Sequence, residues 1–305
     1  MNRRVVSGAA MIVGTSAAIQ LAAAVAHGLF AQLGPAGVSA LRFALGAVIL
    51  LVAVRPSFRG RDRATWRAIV AYGLSLAALN LTFFEAIQRI PLGIAVTFAF
   101  IAPLVIALAG ARRRRDVAFA LLAAAGVVTL GGIERAASTA GLALAVAAGC
   151  AWVCVAFSGR SVGSRTRRID GLALAVPIAA LVTLPFGVGH LRAVDGHALG
   201  LGLVIAVGGL IVPFALELEG LRRLEPRLVA VIYSVDPAIA SLVGLVALSQ
   251  DLSATQVIGI AAVMVASAGA TAAAGAGAGA GGGSGGPTGQ LAHADIANWP
   301  VRDKT

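Results

Sequence analysis

Ten apolar runs, each close to twenty residues long, follow one another along this chain. They cover roughly 8–27, 36–54, 67–88, 91–110, 116–133, 139–158, 170–189, 198–220, 226–248 and 253–273. About 20 mostly apolar residues are what a helix needs to cross a bilayer. Every run is rich in Ala, Leu, Val and Gly and none alternates. Barrel strands would alternate polar and apolar over about ten residues. The expected fold is therefore an all-α membrane protein with ten transmembrane helices. Only 12% of the 305 residues are charged, against about 25% in soluble domains. The first run has the length of a signal-peptide core, but nine more follow it, so it reads as a retained helix.

The distribution of charge supports that count. Numbering each loop by the run it follows, 20 of the 24 Lys and Arg fall in the termini and the even-numbered loops. These include Arg55, Arg59 and Arg61 in the second loop and Arg112 to Arg115 in the fourth. The odd loops hold Arg89, Arg135 and Arg192, and Arg42 lies inside the second run. Positive residues in short loops stay cytoplasmic, so both termini are expected inside. A net charge of +11 suggests nucleic acid, but no basic-aromatic surface accompanies it, and that partner is excluded. The bilayer is the expected one.

Several chemistries find no support. No P-loop or His-Glu-x-x-His pattern occurs, so no cofactor or metal is expected. Cys150 and Cys154 are the only cysteines and read as small packing residues, since a metal site wants more ligands. "GAGAGAGGGSGG" in the tail reads as flexible linker. No nucleophile-base pair is visible, so the chain does not read as an enzyme.

Shifting the sequence by 134 residues lays "EAIQRIPLGIAVTFAFIAP" on "EGLRRLEPRLVAVIYSVDP". Glu85 meets Glu219, Arg89 meets Arg223 and Pro103 meets Pro237. The same shift lays runs one to five on runs six to ten. Five is odd, so the second half enters the membrane inverted, an architecture of secondary transporters. The expected organisation is a five-helix repeat at 7–135, a second at 139–273, and a cytoplasmic tail at 274–305.

In "SAAIQLAAAVAHGLF", "GVSALRFALGA", "YGLSLAALN", "AIQRIPLGIAV", "CAWVCVAFSG" and "VPFALELEGL…SVDPAIA", the chain resembles the drug/metabolite transporter superfamily. It is similar there to EamA-type ten-helix exporters, in particular bacterial threonine/homoserine exporters. The resemblance runs over roughly residues 7 to 270. It implies a bacterial plasma-membrane efflux carrier for small amino acids, coupled to protons. It departs at Ala99, where such exporters carry an acid four residues before the proline of the fourth helix.

The polar residues point the same way. Asp236 stands beside Pro237 within an apolar run. A charged acid at mid-bilayer costs about 2.5–3.5 kcal/mol and usually faces a cavity or a partner. Pro237 frees backbone carbonyls near Ile232 and Tyr233, and irregular backbone at this depth needs protein or a wet cavity to satisfy it. The pair thus suggests a broken-helix site, and Pro103 marks the matching point in the fourth run. The plain alternative is a structural acid. Arg42 lies about a third of the way along its run, roughly 10 Å from the outer end. It can pair with Asp236, clamp a substrate carboxylate, or snorkel to the headgroups. Gln20 and Asn80 lie near its depth and, with Trp152 and Tyr233, are candidate cavity residues; interhelical packing is the alternative.

Glu217 is a second candidate proton carrier beside Asp236. Glu85 and Glu219 are candidate gate residues at opposite faces, or plain helix-end acids. The expected function is alternating-access export of small amino acids, with protons as co-substrate and oligomerisation left open. An exporter of another metabolite or drug is the alternative within the class. A non-transporting membrane scaffold is the alternative outside it, and would need neither repeat nor buried acids.

Overall fold

The computed structural model describes residues 3–109, 118–119, 121–126, 138–166, 169–213, 216 and 232–278. Among these there is no strand. The first three apolar runs form α1 (Arg3–Gly28), α2 (Phe30–Val54) and α3 (Arg63–Ile87). The fourth run forms two pieces, α4 (Leu92–Ala99) and α5 (Ile101–Ala109). Then come α6 (Thr139–Gly163), α7 (Asp170–Gly187), α8 (Gly196–Ala206), α9 (Asp236–Leu248) and α10 (Ala254–Ala278). A π-turn, Val207–Ile211, continues α8. Five described helices are long and apolar enough to cross a membrane, namely α1, α2, α3, α6 and α7. The fifth run lies mostly outside the described residues, as do Arg112 to Arg115, Arg135, Glu217, Glu219 and Arg223.

Local chemistry sets the helix ends. Asp62 accepts the Thr65 amide at 2.9 Å and starts α3; Ser138 and Asp195 cap α6 and α8 in the same way. Thr65 holds the Asp62 carboxyl below the usual carboxylate range, and the Ala198 amide does so for Asp195. α2 is kinked at Gly34, whose φ of 63° suits glycine. Pro35 follows and opens the straight part of the helix, where its missing N–H is not needed.

Two runs break next to prolines. The fourth is interrupted at Phe100, three residues before Pro103. The ninth is interrupted at Ser234 and Val235, and α9 starts at Asp236 with Pro237 in its first turn. A proline inside a helix removes a backbone bond; in a first turn it does not.

In the packing, α3 lies against α6 and α7, and α2 against α7. α9 lies against α4 and α1, α4 against α6, and α8 with its π-turn against α1 and α2. Glycines permit the closest crossings. A Cβ on Gly149 of α6 would overlap the Ala99 carbonyl, and one on Gly73 of α3 would lie 2.7 Å from the Ala175 carbonyl. Large apolar side chains face outward, including Val48, Leu181, Phe186, Leu242 and Val246, as a lipid solvent requires.

Candidate functional site

α1 is the common wall of two polar contacts. On its inner face the Ser16 hydroxyl donates to the Asp236 carboxylate, and both residues are buried. One turn earlier, Ile12 packs against Ile232 and Tyr233. Gln20, one turn later on the same face, is buried as well. Thr15 beside Ser16 donates to the Pro213 carbonyl at 3.3 Å and ties α1 to the eighth run.

The second contact is made by Arg42. Its Nη2 donates to the Gly209 carbonyl in the π-turn at 2.7 Å. Its guanidinium carbon lies 5.9 Å from the Phe43 ring centroid and 5.8 Å from that of Phe84, within cation–π range. Asn80 is one turn before Phe84 on α3 and so lies on the face that meets Arg42. A Cβ on Gly209 would be 2.8 Å from Ala22 of α1. Six residues separate Ser16 from Ala22, so the Asp236 and Arg42 contacts stand roughly 9 Å apart along α1. Arg42 is thus bonded to backbone and not to Asp236.

Buried polar groups are nearly always paired. Among the described residues, four buried side-chain atoms have no partner: Gln20 Oε1, Ser39 Oγ, Arg42 Nε and Asn80 Oδ1. Three of these belong to residues that the sequence singles out. The arrangement therefore offers one spare guanidinium donor and two amide acceptors, plus a separate carboxylate on α9. Donors and acceptors of this kind match a small zwitterion.

The other candidates fall as follows. Trp152 packs edge-on against Phe100 at the break of the fourth run, 5.1 Å between centroids. Glu85 pairs with Arg89 one turn on, at the partly exposed end of α3. Glu217 and Glu219 lie outside the described residues. Ala99, which stands where the exporter pattern carries an acid, is 3% exposed, and its backbone lies against Gly149. Cys150 and Cys154 are free and exposed, and so do not pack inward as expected. Sequence reasoning missed Ser16, because serines are common in membrane helices, and Gly209. For Gly209 a signal exists: Pro213, four residues on, brings no N–H to its carbonyl.

Apolar helices facing outward around buried, partly unpaired polar groups define a multi-pass helical membrane protein with a polar interior. The second half, residues 139–272, matches the EamA-like transporter family. The chain is 35% identical over 259 residues to the threonine/homoserine exporter RhtA of Escherichia coli strain K12, covering 83% of this chain and 87% of that protein. It is 35% identical over 257 residues to RhtA of Salmonella typhimurium strain SL1344, covering 82% and 86%. A solved crystal structure shares the fold with TM-score 0.60 and 22% identity, over 88% of this chain and 99% of that one. The chain belongs to the EamA-like transporter family, whose members are transporters and not enzymes.

Proposed function

We propose that this transporter exports small amino acids of the threonine/homoserine kind across the bacterial plasma membrane, by alternating access coupled to protons. The observation that carries the reading is the buried Arg42 guanidinium with a spare Nε, together with the buried unpaired amide oxygens of Asn80 and Gln20. The guanidinium clamps the substrate carboxylate, and the amide oxygens accept from its ammonium. Trp152 and Tyr233 line the path. Asp236 takes the coupling proton, as the buried acid that opens α9, with Glu217 as the second candidate. The substrate class rests also on the names of the relatives. Glu85 and Glu219 belong to the outer and inner gates.

Two inverted five-helix repeats, 7–135 and 139–273, form the moving halves. Several observations support this. The two helix breaks, at Phe100 and Ser234, are 134 residues apart, the offset of the repeat. Several helix contacts exchange under the swap of runs one to five with six to ten. The α2–α7 and α4–α9 contacts map onto themselves, while α4–α6 maps onto α9–α1 and α3–α6 onto α8–α1. Loop contacts respect parity too. Arg61 of the second loop meets Asp170 after the sixth, at 3.4 Å. Gln32 of the first meets the Ala193 carbonyl of the seventh, at 2.8 Å. The Leu92 amide after the third meets Gln250 of the ninth, at 3.0 Å. Ten crossings account for all three.

Efflux from proteoliposomes loaded with each member of an amino-acid panel, with and without a pH gradient, tests the reading. Threonine and homoserine are expected to leave fastest, and faster with the gradient. Efflux of none of the panel sinks the substrate assignment; efflux indifferent to the gradient sinks the coupling.

A further inference from the structure

We infer that the Gly209 carbonyl occupies, in this conformation, the place on Arg42 that a substrate carboxylate takes, so that substrate binding unlocks the π-turn of the eighth run. The inference rests on Arg42 as the carboxylate clamp and adds the element that the clamp moves. Pro213 brings no N–H to the carbonyl four residues before it, so the Gly209 oxygen lacks that α-helical partner. Arg42 Nη2 supplies one from α2, at 2.7 Å. The bond uses one side of the guanidinium. Arg42 Nε is buried and unpaired, so the Gly209 carbonyl as placed does not serve both donors. A carboxylate can, through two parallel bonds. The ligand therefore makes a better partner than the backbone and displaces it.

The displaced segment is built to respond. π-turns inside α-helices are rare and gather at functional sites. This one contains the pair Gly208–Gly209, which leaves the backbone free to change. A Cβ at Gly208 would touch nothing within 4 Å, whereas at Gly209 it would press on Ala22 and reach contact with Arg42. Gly209 is thus the point where α1, α2 and the eighth run approach each other. Once Arg42 turns to the carboxylate, the eighth run loses this polar tie to α2, and the Thr15–Pro213 contact remains as a pivot on α1.

Amide hydrogen exchange of the full chain in lipid nanodiscs reads the turn directly. Saturating L-threonine is expected to speed exchange across Val207–Ile211 about fivefold or more, a coupling of ordinary size. The corresponding amino alcohol without the carboxylate, 1-aminopropan-2-ol, should leave it unchanged. Pro213→Ala restores an N–H for the Gly209 carbonyl and frees Arg42 beforehand. That variant should bind substrate more tightly, with a lower KM, yet turn over more slowly, because binding no longer releases anything. A purely structural cap moves neither parameter. If threonine is carried while exchange at 207–211 stays constant, or if Pro213→Ala keeps wild-type KM and maximal rate, this inference fails and the substrate assignment stands. If no carboxylate on the panel is carried, both fail.

Discussion

At the scale of single residues, Arg42 and Asp236 divide the labour of the proposed cycle, and each has a diagnostic substitution. Arg42→Lys keeps the charge and loses the planar fork. KM for threonine is expected to rise about tenfold or more, the loss of one charge-assisted hydrogen bond, with insertion intact. Wild-type kinetics in that variant would return Arg42 to a structural role as partner of Gly209. Asp236→Asn imitates the protonated acid permanently and keeps a partner for the Ser16 hydroxyl. Accumulation driven by a pH gradient is expected to vanish, while threonine–threonine exchange survives, because that cycle needs no change of protonation. Should the asparagine variant still build a gradient, the proton rides elsewhere, and Glu217 is next to be replaced. Asp236, Arg42, Asn80 and Gln20 were legible as residues, because a polar group in an apolar run has to be explained. Their partners were not. Nothing in the order of residues says that Asp236 meets Ser16, 220 positions away, rather than Arg42.

Among elements, the breaks at Phe100 and at Ser234–Val235 matter most. Each run was readable as one apolar segment, and Pro103 and Pro237 marked where it fails. How neighbours fill the gap was not readable. Phe100 is covered by Trp152, and the Ala99 carbonyl by Gly149, because α6 crosses there without a Cβ in the way. Gly149→Val should therefore push α6 off α4 and destabilise the carrier by about 1–3 kcal/mol, as overpacking does. A lowered melting temperature in detergent checks this; an unchanged one would mean that the crossing is loose. The caps outside the bilayer set a further limit. Asp62 and Asp195 both titrate below the usual range in the folded chain. Their support of α3 and α8 is complete above the unfolded carboxylate range and is lost as pH falls through the lowered values. Transport at neutral pH is expected to be untouched by their titration.

For the whole molecule the prediction is one of topology. A reporter fused after Thr305 should read as cytoplasmic, and one inserted between Gly189 and Gly196 as external. Termini on opposite faces would remove the ten-crossing arrangement and the inverted repeat together. The solvent and the all-helical class follow from the sequence by itself, and so does the expected side of each loop. Burying the backbone in lipid leaves a run of twenty apolar residues one good solution, a helix, and arginine-rich short loops are expected on the cytoplasmic side. Both rules act locally, so a linear string displays them. Tertiary structure alone decided which polar groups meet. Hydrogen bonds such as Ser16 to Asp236 and Arg42 to Gly209 join helices far apart in the chain, and their geometry depends on crossings that glycines permit and bulkier residues would forbid.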